Sequence, residues 1–331
     1  MTRILITDRT HEVLPQRLRE AGFEVLLEPD LDREALLRAA WGCDGLVVRS
    51  KVIVDRAFID ACPSLRCIGR VGAGMETIDV AYAESRGIRC LNSPEGNRDA
   101  VGEHAVGLLL ALLNNIARAD AEVRRGLWRR EANRGLELGS LTVGIIGLGN
   151  MGRAFAKRLS GFGCRVVYYD KYLENLESLE NLESLENLES LENLEKLEFL
   201  ERLESLALLQ QEADVVSFHV PLTDETRHYL DAAFIAAMRK PFFLINTARG
   251  AVVDTEALVA GLEGGKVRGA ALDVLEYENM QADALGDVPE SMRYLMQSPR
   301  TVLTPHVAGW SVESHYKLSA VLADKIIEAL K

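Results

Sequence analysis

Apolar and polar residues alternate in short blocks along most of this chain, and the blocks predict strands that are followed by helices. Residues 3–7 predict a strand, residues 11–21 a helix that ends at Gly22, and residues 23–27 a second strand. Up to residue 91 the same rhythm predicts helices at 32–40, 55–61 and 79–85 and strands at 45–48, 67–71 and 89–91. Strands that alternate with helices are typical of parallel α/β sheets, whose functional groups lie at the carboxyl ends of the strands.

The central and final parts of the chain continue this pattern, with one long apolar segment between them. Residues 99–129 predict a single helix whose segment AVGLLLALL is apolar on every face. A helix of that kind is buried on most sides, and we expect it to contact a second subunit in a homodimer. Beyond it the pattern predicts helices at 255–263 and 311–330 and strands at 214–219, 242–246, 269–274 and 301–303.

The segment LTVGIIGLGNMG, residues 141–152, predicts a short strand at residues 142–146 that runs directly into Gly147, Gly149 and Gly152. This spacing of glycines is typical of a dinucleotide-binding loop. In such a loop the first glycine permits a tight turn and the second lets a pyrophosphate approach the backbone. The third lets the following helix pack close to the strand.

The residues after this loop complete the dinucleotide pattern. Residues 153–160 predict a helix, and residues 165–169 predict a strand that ends at Asp170. A carboxylate at this place can accept both ribose hydroxyls of NAD and would repel the 2′-phosphate of NADP. The whole arrangement of strand, turn, helix, strand and acid therefore predicts an NAD site.

A low-complexity repeat of the type LENLES occupies about residues 172–196 and has a leucine at every third position. Each three-residue step turns about 300° around an α-helix, so the leucines form no fixed stripe, and a coiled coil is excluded. Residues 171–206 also contain eleven glutamates, which supply much of the net charge of −12. We interpret the repeat as an insertion, helical or disordered, that has no role in the chemistry.

The composition agrees with a globular protein of two domains, since 48% of the 331 residues are hydrophobic and 27% are charged. Five cysteines without a CxxC pair predict reduced thiols in the cytoplasm, and neither a disulfide framework nor a metal site. The N-terminal segment MTRILITD lacks the pattern of a signal peptide. The acidic charge argues against a nucleic-acid surface, so we expect a small-molecule partner, with no nucleic acid and no membrane.

Six motifs occur in one order along the chain: NSPEGN, GLGNMG, HVPLT, INTARG, LDVLEYE and TPHVAG. In these motifs the chain resembles the D-isomer-specific 2-hydroxyacid dehydrogenases over nearly its whole length, apart from the repeat. The resemblance implies two Rossmann-like or flavodoxin-like domains with parallel sheets, the cofactor domain being inserted into the substrate domain. It places the substrate domain at residues 1–98 and 302–331, the NAD-binding domain at 99–301, and the active site in the cleft between them.

The resemblance assigns the chemistry to Arg249 of INTARG, Glu278 of LDVLEYE and His306 of TPHVAG. Hydride transfer from a 2-hydroxy acid requires that the hydroxyl lose its proton, and a histidine can act as base in that direction and as acid in the other. Glu278 would orient the imidazole, while Arg249 would bind the substrate carboxylate and polarise the keto oxygen. Glu276 competes with Glu278 by residue type, and only the family spacing decides for Glu278. Asn279 stands where the family usually has proline.

The resemblance also implies which residues line the two ligands, and no metal. The expected cofactor-binding residues are Gly147, Gly149, Asn150, Met151, Gly152, Asp170, Val220, Pro221, Thr226, Thr247, Ala248, Arg249, Asp273 and His306. The expected substrate-binding residues are Arg49, Ser50, Lys51, Gly72, Ala73, Gly74, Asn97 and Arg249. Asp273 would face the nicotinamide, and the amides of residues 72–74 would receive the substrate carboxylate.

Within the family, the segments VVRSK and RVGAGMETIDVAYAESRGI are most similar to the phosphoglycerate dehydrogenases. That similarity implies oxidation of 3-phosphoglycerate to 3-phosphohydroxypyruvate, a reaction of serine biosynthesis. The phosphate would need its own partners, and we expect them to be Arg49, Ser50 and Lys51. Strand alternation would point Arg49 and Lys51 to the same side. If they are solvated surface charges instead, the substrate would be glyoxylate or hydroxypyruvate.

Two other functions share this fold. Formate dehydrogenase resembles the family with glutamine in the place of Glu278, so Glu278 argues against that activity. The NAD-sensing corepressors retain the same catalytic set, which therefore cannot separate a binding protein from an enzyme. They gain their function from long disordered tails, which we do not expect in this chain, and the enzyme remains the favoured interpretation.

Overall fold

The computed structural model describes residues 1–173, 199–278 and 286–331. They divide into two compact units, each built on its own parallel sheet, which confirms the predicted α/β class. Unit 1 comprises Met1–Ala100 and Gly309–Lys331, and unit 2 comprises the described residues from 101 to 308. The LENLES repeat lies outside the described residues, apart from its first two positions.

The second boundary between the units lies after Ala308, and the expected boundary before residue 302 is wrong. The strand Thr301–Leu303 pairs in parallel with the strand Val267–Leu272, which belongs to unit 2. Because the residues of this edge strand are hydrogen-bonded to the sheet of unit 2, the chain stays in unit 2 until this pairing has ended.

Unit 1 is a five-stranded parallel sheet with apolar clusters on both faces. Its strands are β1 (Arg3–Ile6), β2 (Glu24–Leu27), β3 (Gly45–Val48), β4 (Cys67–Arg70) and β5 (Arg89–Asn92). Its first four helices are α1 (Val13–Glu20), α2 (Arg33–Ala40), α3 (Arg56–Asp60) and α4 (Val80–Ser85). The strand order is β2-β1-β3-β4-β5, so the order reverses between β1 and β3. Ligands of open parallel sheets bind beside such a reversal.

Unit 2 is a seven-stranded parallel sheet that is also covered on both faces. Its strands are β6 (Thr142–Ile146), β7 (Arg165–Tyr169), β8 (Leu200–Arg202), β9 (Val215–Phe218), β10 (Phe242–Asn246), β11 (Val267–Leu272) and β12 (Thr301–Leu303). The helices that follow α4 are α5 (Arg98–Leu113), α6 (Ile116–Arg124), α7 (Asn150–Leu159), α8 (Leu206–Glu212), α9 (Ala232–Ala237), α10 (Thr255–Glu263) and α11 (Glu290–Gln297). The strand order β12-β11-β10-β9-β6-β7-β8 reverses between β6 and β9.

The C-terminal helix α12 (Val312–Leu330) returns the chain to unit 1 and covers one face of its sheet. Leu318, Leu322 and Ile326 of this helix belong to the same buried cluster as the apolar side chains of β1. The turn after β5 lies directly against the helix, because a Cβ at Gly96 would be only 2.4 Å from the backbone nitrogen of Leu318. Glycine at position 96 is therefore a packing requirement.

The single helix predicted at residues 99–129 is wrong, since α5 and α6 are separate helices with a bend of 61° between them. Asn115 interrupts the ladder in the left-handed conformation, with φ 54°, which asparagine tolerates better than most residues. Most apolar side chains of α5 pack into the core of unit 2, among them Ala105, Leu108, Leu109, Leu112 and Leu113. Covering α5 therefore does not require a second subunit.

Within the described part of the chain, no single helix is long and apolar enough to span a membrane, and the bent pair of α5 and α6 meets only a test of length and composition.

Side-chain oxygens fix the start of many helices. Asp32, Asp55 and Asp79 each accept the backbone N–H three residues further on, at α2, α3 and α4. Asp254 and Ser311 do the same at α10 and α12. Such a cap stabilises a helix by about 1 kcal/mol, which explains why these starts were predicted to within a residue.

Candidate active site

The loop after β6 depends on glycine at two positions. Gly147 has φ +90°, and a Cβ there would lie 2.8 Å from the carbonyl oxygen of His219. A Cβ on Gly152 would lie 2.1 Å from the carbonyl oxygen of Gly147. Only a residue without a side chain allows α7 to lie so close to β6. The tight turn and the close packing expected of these two glycines are both present.

Gly149, the second glycine of the loop, borders open space. Gly149 is the N-cap of α7, and a Cβ at this position would meet no atom within 4 Å. Asn150 and Met151 follow in the first turn of α7, where backbone N–H groups have no partner in the helix ladder. These donors and the positive end of the helix dipole favour an anion such as a pyrophosphate.

Asp170 lies directly after β7 and binds to the glycine loop. Its Oδ2 accepts the N–H of Leu148 at 2.8 Å, and its Oδ1 accepts the N–H of Tyr172 at 2.9 Å. Each carboxylate oxygen can accept a second hydrogen bond. Asp170 can therefore hold the loop in place and still accept ribose hydroxyls, and its charge opposes a 2′-phosphate.

The loop after β9 contains Val220, Pro221 and Thr226, which were expected at the cofactor. Val220 borders the glycine turn, because its Cγ1 is 2.9 Å from the position of a Cβ on Gly147. The hydroxyl of Thr226 donates to the carbonyl of Pro221 at 2.6 Å and accepts the N–H of Thr223 at 2.8 Å. The hydroxyl of Thr226 is thus already engaged in hydrogen bonds within this loop, and these bonds stabilise the loop.

Thr247 and Ala248 follow β10, and both are buried. The hydroxyl oxygen of Thr247 has no hydrogen-bond partner among the described residues. Such a group costs about 1–3 kcal/mol of stability, which a ligand that bonds to it would restore. The orphaned hydroxyl, the open space at Gly149 and the carboxylate of Asp170 together fit a bound dinucleotide.

Arg249 is presented by a rigid turn. The side-chain amide of Asn246 donates to the carbonyl of Arg249 at 2.9 Å and its oxygen accepts the N–H of Ala248 at 3.0 Å. Gly250 follows, and a Cβ there would lie 2.0 Å from the carbonyl oxygen of Leu275. The guanidinium donates to the carbonyl of Ala248 at 2.7 Å, and its planar fork of five N–H donors has the geometry that suits a carboxylate.

His306 and Glu278 form the predicted pair. Nδ1 of His306 is 2.8 Å from Oε1 of Glu278, and the other carboxylate oxygen accepts the N–H of Leu275 at 3.0 Å. Both side chains remain partly exposed, at 29% and 20%. Because Nδ1 is held by the carboxylate, Nε2 is the nitrogen that can exchange a proton with a substrate hydroxyl.

Asp273 organises the loop that carries His306. Its carboxylate is 1% exposed and accepts the hydroxyl of Thr304 at 2.6 Å and the N–H groups of Val307 and Ala308 at 2.9 and 2.8 Å. His306 itself has φ 53°, and its N–H donates to the carbonyl of Asp273 at 2.7 Å. A left-handed conformation at a non-glycine residue costs energy and persists only where its surroundings enforce it.

The partners of Asp273 keep this buried carboxylate charged, and its expected position facing the nicotinamide stays a prediction. Burial alone would raise the pKa of this carboxyl, but hydrogen bonds from His104, Thr304 and two backbone amides outweigh burial and hold the pKa below its usual value. Nε2 of His104 is 3.0 Å from the hydroxyl of Thr304 and 3.5 Å from the carboxylate. Asp273 is thus a buried anion whose partners are the loop and His104. Thr304 was missed from the sequence, although it precedes the proline of TPH.

Glu276, the competitor of Glu278, has other partners. Its Oε1 is 2.6 Å from Nε2 of His228, and its Oε2 accepts the hydroxyl and the N–H of Thr255 at 2.7 and 3.1 Å. Glu276 therefore joins the loop after β9 to the start of α10. The carboxylate beside His306 is that of Glu278, as the spacing indicated.

Unit 1 places its expected substrate groups differently from the prediction. β3 ends at Val48, so Arg49, Ser50 and Lys51 follow the strand and do not alternate in it. The ammonium of Lys51 donates to the carbonyls of Pro29 and Leu31 at 2.7 and 2.6 Å. The expectation that Arg49 and Lys51 point to one side because of strand alternation is therefore wrong.

The loop after β4 also differs in detail. The N–H of Gly72 donates to the hydroxyl of Ser93 at 3.3 Å, which leaves the amides of Ala73 and Gly74 as candidate donors for a carboxylate. Gly72 has φ +144°, and a Cβ there would lie 1.7 Å from Nη1 of Arg70. Arg70 therefore covers this loop. It was missed from the sequence because its place at the end of β4 was assigned to the strand.

Asn97, which was expected to bind the substrate, carries a buried side-chain oxygen without a hydrogen-bond partner among the described residues. Like the hydroxyl of Thr247, this acceptor costs stability unless a ligand donates to it. The observation supports a ligand at this position in unit 1.

Comparison with known proteins shows which family of proteins the chain matches. A sequence model described as "D-isomer specific 2-hydroxyacid dehydrogenase, NAD binding domain" matches residues 106–308. The chain is 35% identical to a D-3-phosphoglycerate dehydrogenase of Methanocaldococcus jannaschii, over 100% of this chain and 58% of that protein. It is 34% identical to a hydroxypyruvate reductase of Thermotoga maritima, over 99% of this chain and 98% of that protein.

A solved structure with the same fold is a glyoxylate reductase from Paecilomyes thermophila, with a TM-score of 0.83 and 25% identity. The match covers 100% of this chain and 95% of that one. By contrast, the chain spans little more than half of the phosphoglycerate dehydrogenase from Methanocaldococcus jannaschii, which is a longer protein.

Proposed function

Because the chain belongs to the NAD-dependent D-isomer-specific 2-hydroxyacid dehydrogenases, we propose that it oxidises 3-phosphoglycerate to 3-phosphohydroxypyruvate. The observation that carries the chemistry is the contact of 2.8 Å between His306 and Glu278. This pair lies in the same unit as the glycine loop and Arg249.

The residues of the chain have separate tasks in this reaction. NAD, when bound at the glycine loop, would supply the acceptor for the hydride that leaves C2 of the hydroxy acid. His306 accepts the proton of the 2-hydroxyl at Nε2, and Glu278 keeps the imidazole in the orientation that this requires. Arg249 binds the substrate carboxylate with two N–H groups and polarises the oxygen at C2 as the carbonyl forms. Asp273 acts indirectly, because it holds the backbone on either side of His306.

NAD is the proposed partner of Asp170, and the preference over NADP should depend on this carboxylate. Replacing Asp170 with alanine removes the repulsion of a 2′-phosphate. We expect the ratio of kcat/KM for NAD to that for NADP to fall by about tenfold or more in the variant. Equal use of both cofactors by the wild-type protein would contradict the role of Asp170.

A phosphorylated substrate is supported by the relatives and by Arg49. The first relative named above is a phosphoglycerate dehydrogenase, and the match covers 100% of this chain and 58% of that protein. Arg49 follows β3 beside the strand-order reversal of unit 1, where ligands of such sheets bind. Its planar guanidinium suits the bidentate binding of a phosphate.

A reductase of hydroxypyruvate or glyoxylate is the second candidate, and two observations favour it. The hydroxypyruvate reductase of Thermotoga maritima matches the chain over 98% of its own length. In addition, Lys51 bonds to carbonyls of unit 1, which removes one of the expected partners of the phosphate. Neither substrate of this alternative carries a phosphate group.

Steady-state kinetics separate the two candidates. NADH oxidation is followed by absorbance with phosphohydroxypyruvate, hydroxypyruvate and glyoxylate, and kcat/KM is compared among them. We expect phosphohydroxypyruvate to give the highest value, and His306→Ala, prepared in parallel, to show that the activity belongs to this protein. If hydroxypyruvate or glyoxylate matches or exceeds phosphohydroxypyruvate, the reductase function replaces the proposed one.

A further inference from the structure

Basic and aromatic side chains of unit 1 form a cluster beside the carboxyl ends of β1 and β3. The guanidinium carbon of Arg49 is 3.8 Å from the centroid of the Trp310 ring. The Trp310 ring is 5.6 Å from the His315 ring, and His315 is 5.5 Å from His11. We call Arg49, Trp310, His315 and His11 the basic cluster.

A hydrogen bond to His11 and the contact of Arg49 with the Trp310 ring fix how these two side chains present their donors. Nδ1 of His11 accepts the N–H of Val13 at 3.1 Å, so the proton of a neutral His11 is on Nε2, which becomes a donor. A guanidinium that lies on an indole ring contacts it through its face and keeps its N–H groups around its edge. The stack of Arg49 on Trp310 therefore orients a fork of donors without using them.

The charge of the basic cluster is only partly balanced by the neighbouring carboxylate, Asp8. The neighbouring carboxylate, Asp8, accepts the backbone N–H of Arg49 at 3.0 Å and the hydroxyl of Thr7 at 2.9 Å. Burial lowers the pKa of the Arg49 guanidinium, and Asp8 offsets only part of this effect. Burial, together with the charges of His11 and Arg49, also lowers the pKa of His315. Both shifts mean that positive charge here costs free energy, and a bound anion would recover that cost.

We propose that the basic cluster binds a dianionic group of the substrate, a phosphate monoester, through Arg49, His315 and His11. This proposal rests on the proposed oxidation of a phosphorylated hydroxy acid. It assigns to His11 and His315 the phosphate-binding role that was expected of Lys51. A phosphate offers three acceptor oxygens and close to two negative charges, which match three donor side chains. The hydroxymethyl group of hydroxypyruvate offers neither, so the same cluster would bind it weakly.

The test compares phosphohydroxypyruvate with hydroxypyruvate in the full-length protein. His315→Gln keeps a helix-compatible side chain in α12 but removes the imidazole donor. We expect it to lower kcat/KM for phosphohydroxypyruvate by about tenfold, the loss of one charged hydrogen bond, and to change kcat/KM for hydroxypyruvate by less than about twofold. His11→Gln should act in the same direction, and His315→Lys, which supplies a cationic donor at this position, should recover part of the preference.

Arg9→Gln is the matched control, because Arg9 lies two residues before His11 and is 84% exposed in a pair with Asp30. Removing its charge should leave the ratio of the two kcat/KM values unchanged. Thermal unfolding and NADH fluorescence titration verify that each variant is folded and binds cofactor. If His315→Gln does not fold, His11→Gln carries the test.

Two results overturn the proposal, and they differ from each other. If the wild-type protein shows no preference for phosphohydroxypyruvate, the proposed function fails, and the phosphate subsite fails with it. If the wild-type protein has the preference and both histidine variants keep it, the function stands and the basic cluster is not the phosphate subsite.

Discussion

Histidine side chains of unit 2 show how the same residue type acquires different tasks. His306 contacts the carboxylate of Glu278 through Nδ1 and is partly exposed, so a substrate hydroxyl can approach its ring. His219 is 9% exposed, its Nε2 lies 2.8 Å from the hydroxyl of Ser217, and its ring lies beside Phe155. A buried imidazole with a neutral partner is costly to charge. The structure therefore supports the proton-transfer task for His306 and a packing task for His219.

The first prediction concerns the His306–Glu278 pair. His306→Ala should lower kcat by about 10²–10⁴-fold, since general acid–base catalysis contributes this much. Glu278→Gln should lower kcat less, because the imidazole remains but loses the charge that orients it. Stopped-flow or steady-state NADH absorbance measures both effects, and NADH binding by fluorescence should stay unchanged. Near-normal kcat in His306→Ala would remove His306 from the mechanism.

The second prediction concerns the stability of the protein in mild acid. Burial lowers the pKa of His219 to about 3, whereas a histidine in the unfolded chain takes up its proton near pH 6.5. Between these two values the unfolded state binds one more proton, so the free energy of unfolding falls as the pH falls. The slope from this one residue approaches about 1.4 kcal/mol per pH unit.

His219→Gln should remove that slope. Urea unfolding curves of wild type and variant at several pH values between 7.5 and 5 would be compared. We expect the difference in free energy of unfolding to change in favour of the variant as the pH falls below about 6.5. Parallel dependences for the two proteins would contradict a buried neutral imidazole at this position.

At the scale of elements, the glycine loop and α7 are the part of unit 2 that local sequence determines most fully. The strand predicted at residues 142–146 agrees with β6, and the strand predicted at 165–169 agrees with β7. Both were predictable because β-branched apolar residues are bounded by glycines whose backbone conformations few other residues adopt. Gly149 is the N-cap of α7 and Gly152 lies inside it. We expect substitutions at these two glycines to have different effects.

The third prediction compares Gly149→Ala with Gly152→Ala. The Cβ of Gly149→Ala enters open space, so the variant should fold with nearly wild-type Tm but bind NADH more weakly, because the methyl group occupies the place of the pyrophosphate. The Cβ of Gly152→Ala meets the carbonyl oxygen of Gly147 at 2.1 Å, so this variant should lose stability itself. Differential scanning fluorimetry and NADH fluorescence titration distinguish them. A destabilised Gly149→Ala together with a stable Gly152→Ala would refute this assignment.

Elements that depend on distant contacts were predicted less well than the glycine loop. The segment of α5 and α6 was expected as one helix because its apolar residues hide the break at Asn115, although the pair of asparagines was a signal for a left-handed residue. Helices α9 and α11 were missed, since short helices buried against a sheet show little periodicity. The end of β3 was placed correctly at Val48, yet the orientation of Lys51 depends on the carbonyls of a loop about 20 residues away. Local sequence does not specify such contacts.

In the candidate site, too, residues within local motifs were predicted from the sequence and contacts between distant segments were not. Arg249, Glu278 and His306 were recognised from motifs, and the structure brings Glu278 and His306 into contact. The contacts of Asp273 with His104 and the residues after β12 could not be foreseen, because they join segments more than 30 residues apart. The same separation explains the error in the boundary between the units. Pairing of β12 with β11 is a long-range property that the apolar pattern of a three-residue strand does not encode.

At the scale of the whole molecule, the described surface has one feature that bears on assembly. The expected reason for a dimer was the apolar helix at residues 99–129, but α5 is largely covered within unit 2. Exposed apolar side chains lie instead on α6 and just after it, with Ile116 at 54%, Val123 at 52% and Trp128 at 78% exposure. Ile116 and Val123 are seven residues apart and so lie on one side of the helix.

The fourth prediction is that this surface forms a homodimer interface. Large apolar side chains grouped on one surface of a globular protein mark a contact site, and the symmetric homodimer is the commonest assembly. We expect the wild-type protein to sediment at twice the chain mass of 36.6 kDa. The double variant Ile116→Asp, Val123→Asp should sediment as a monomer at micromolar concentration, because each charge would be buried without a partner at the interface.

Trp41→Ala is the matched control, since Trp41 is 69% exposed but follows α2 in unit 1, and it should leave the dimer intact. A wild-type monomer, or a dimer that survives both aspartates, would show that α6 is not the interface.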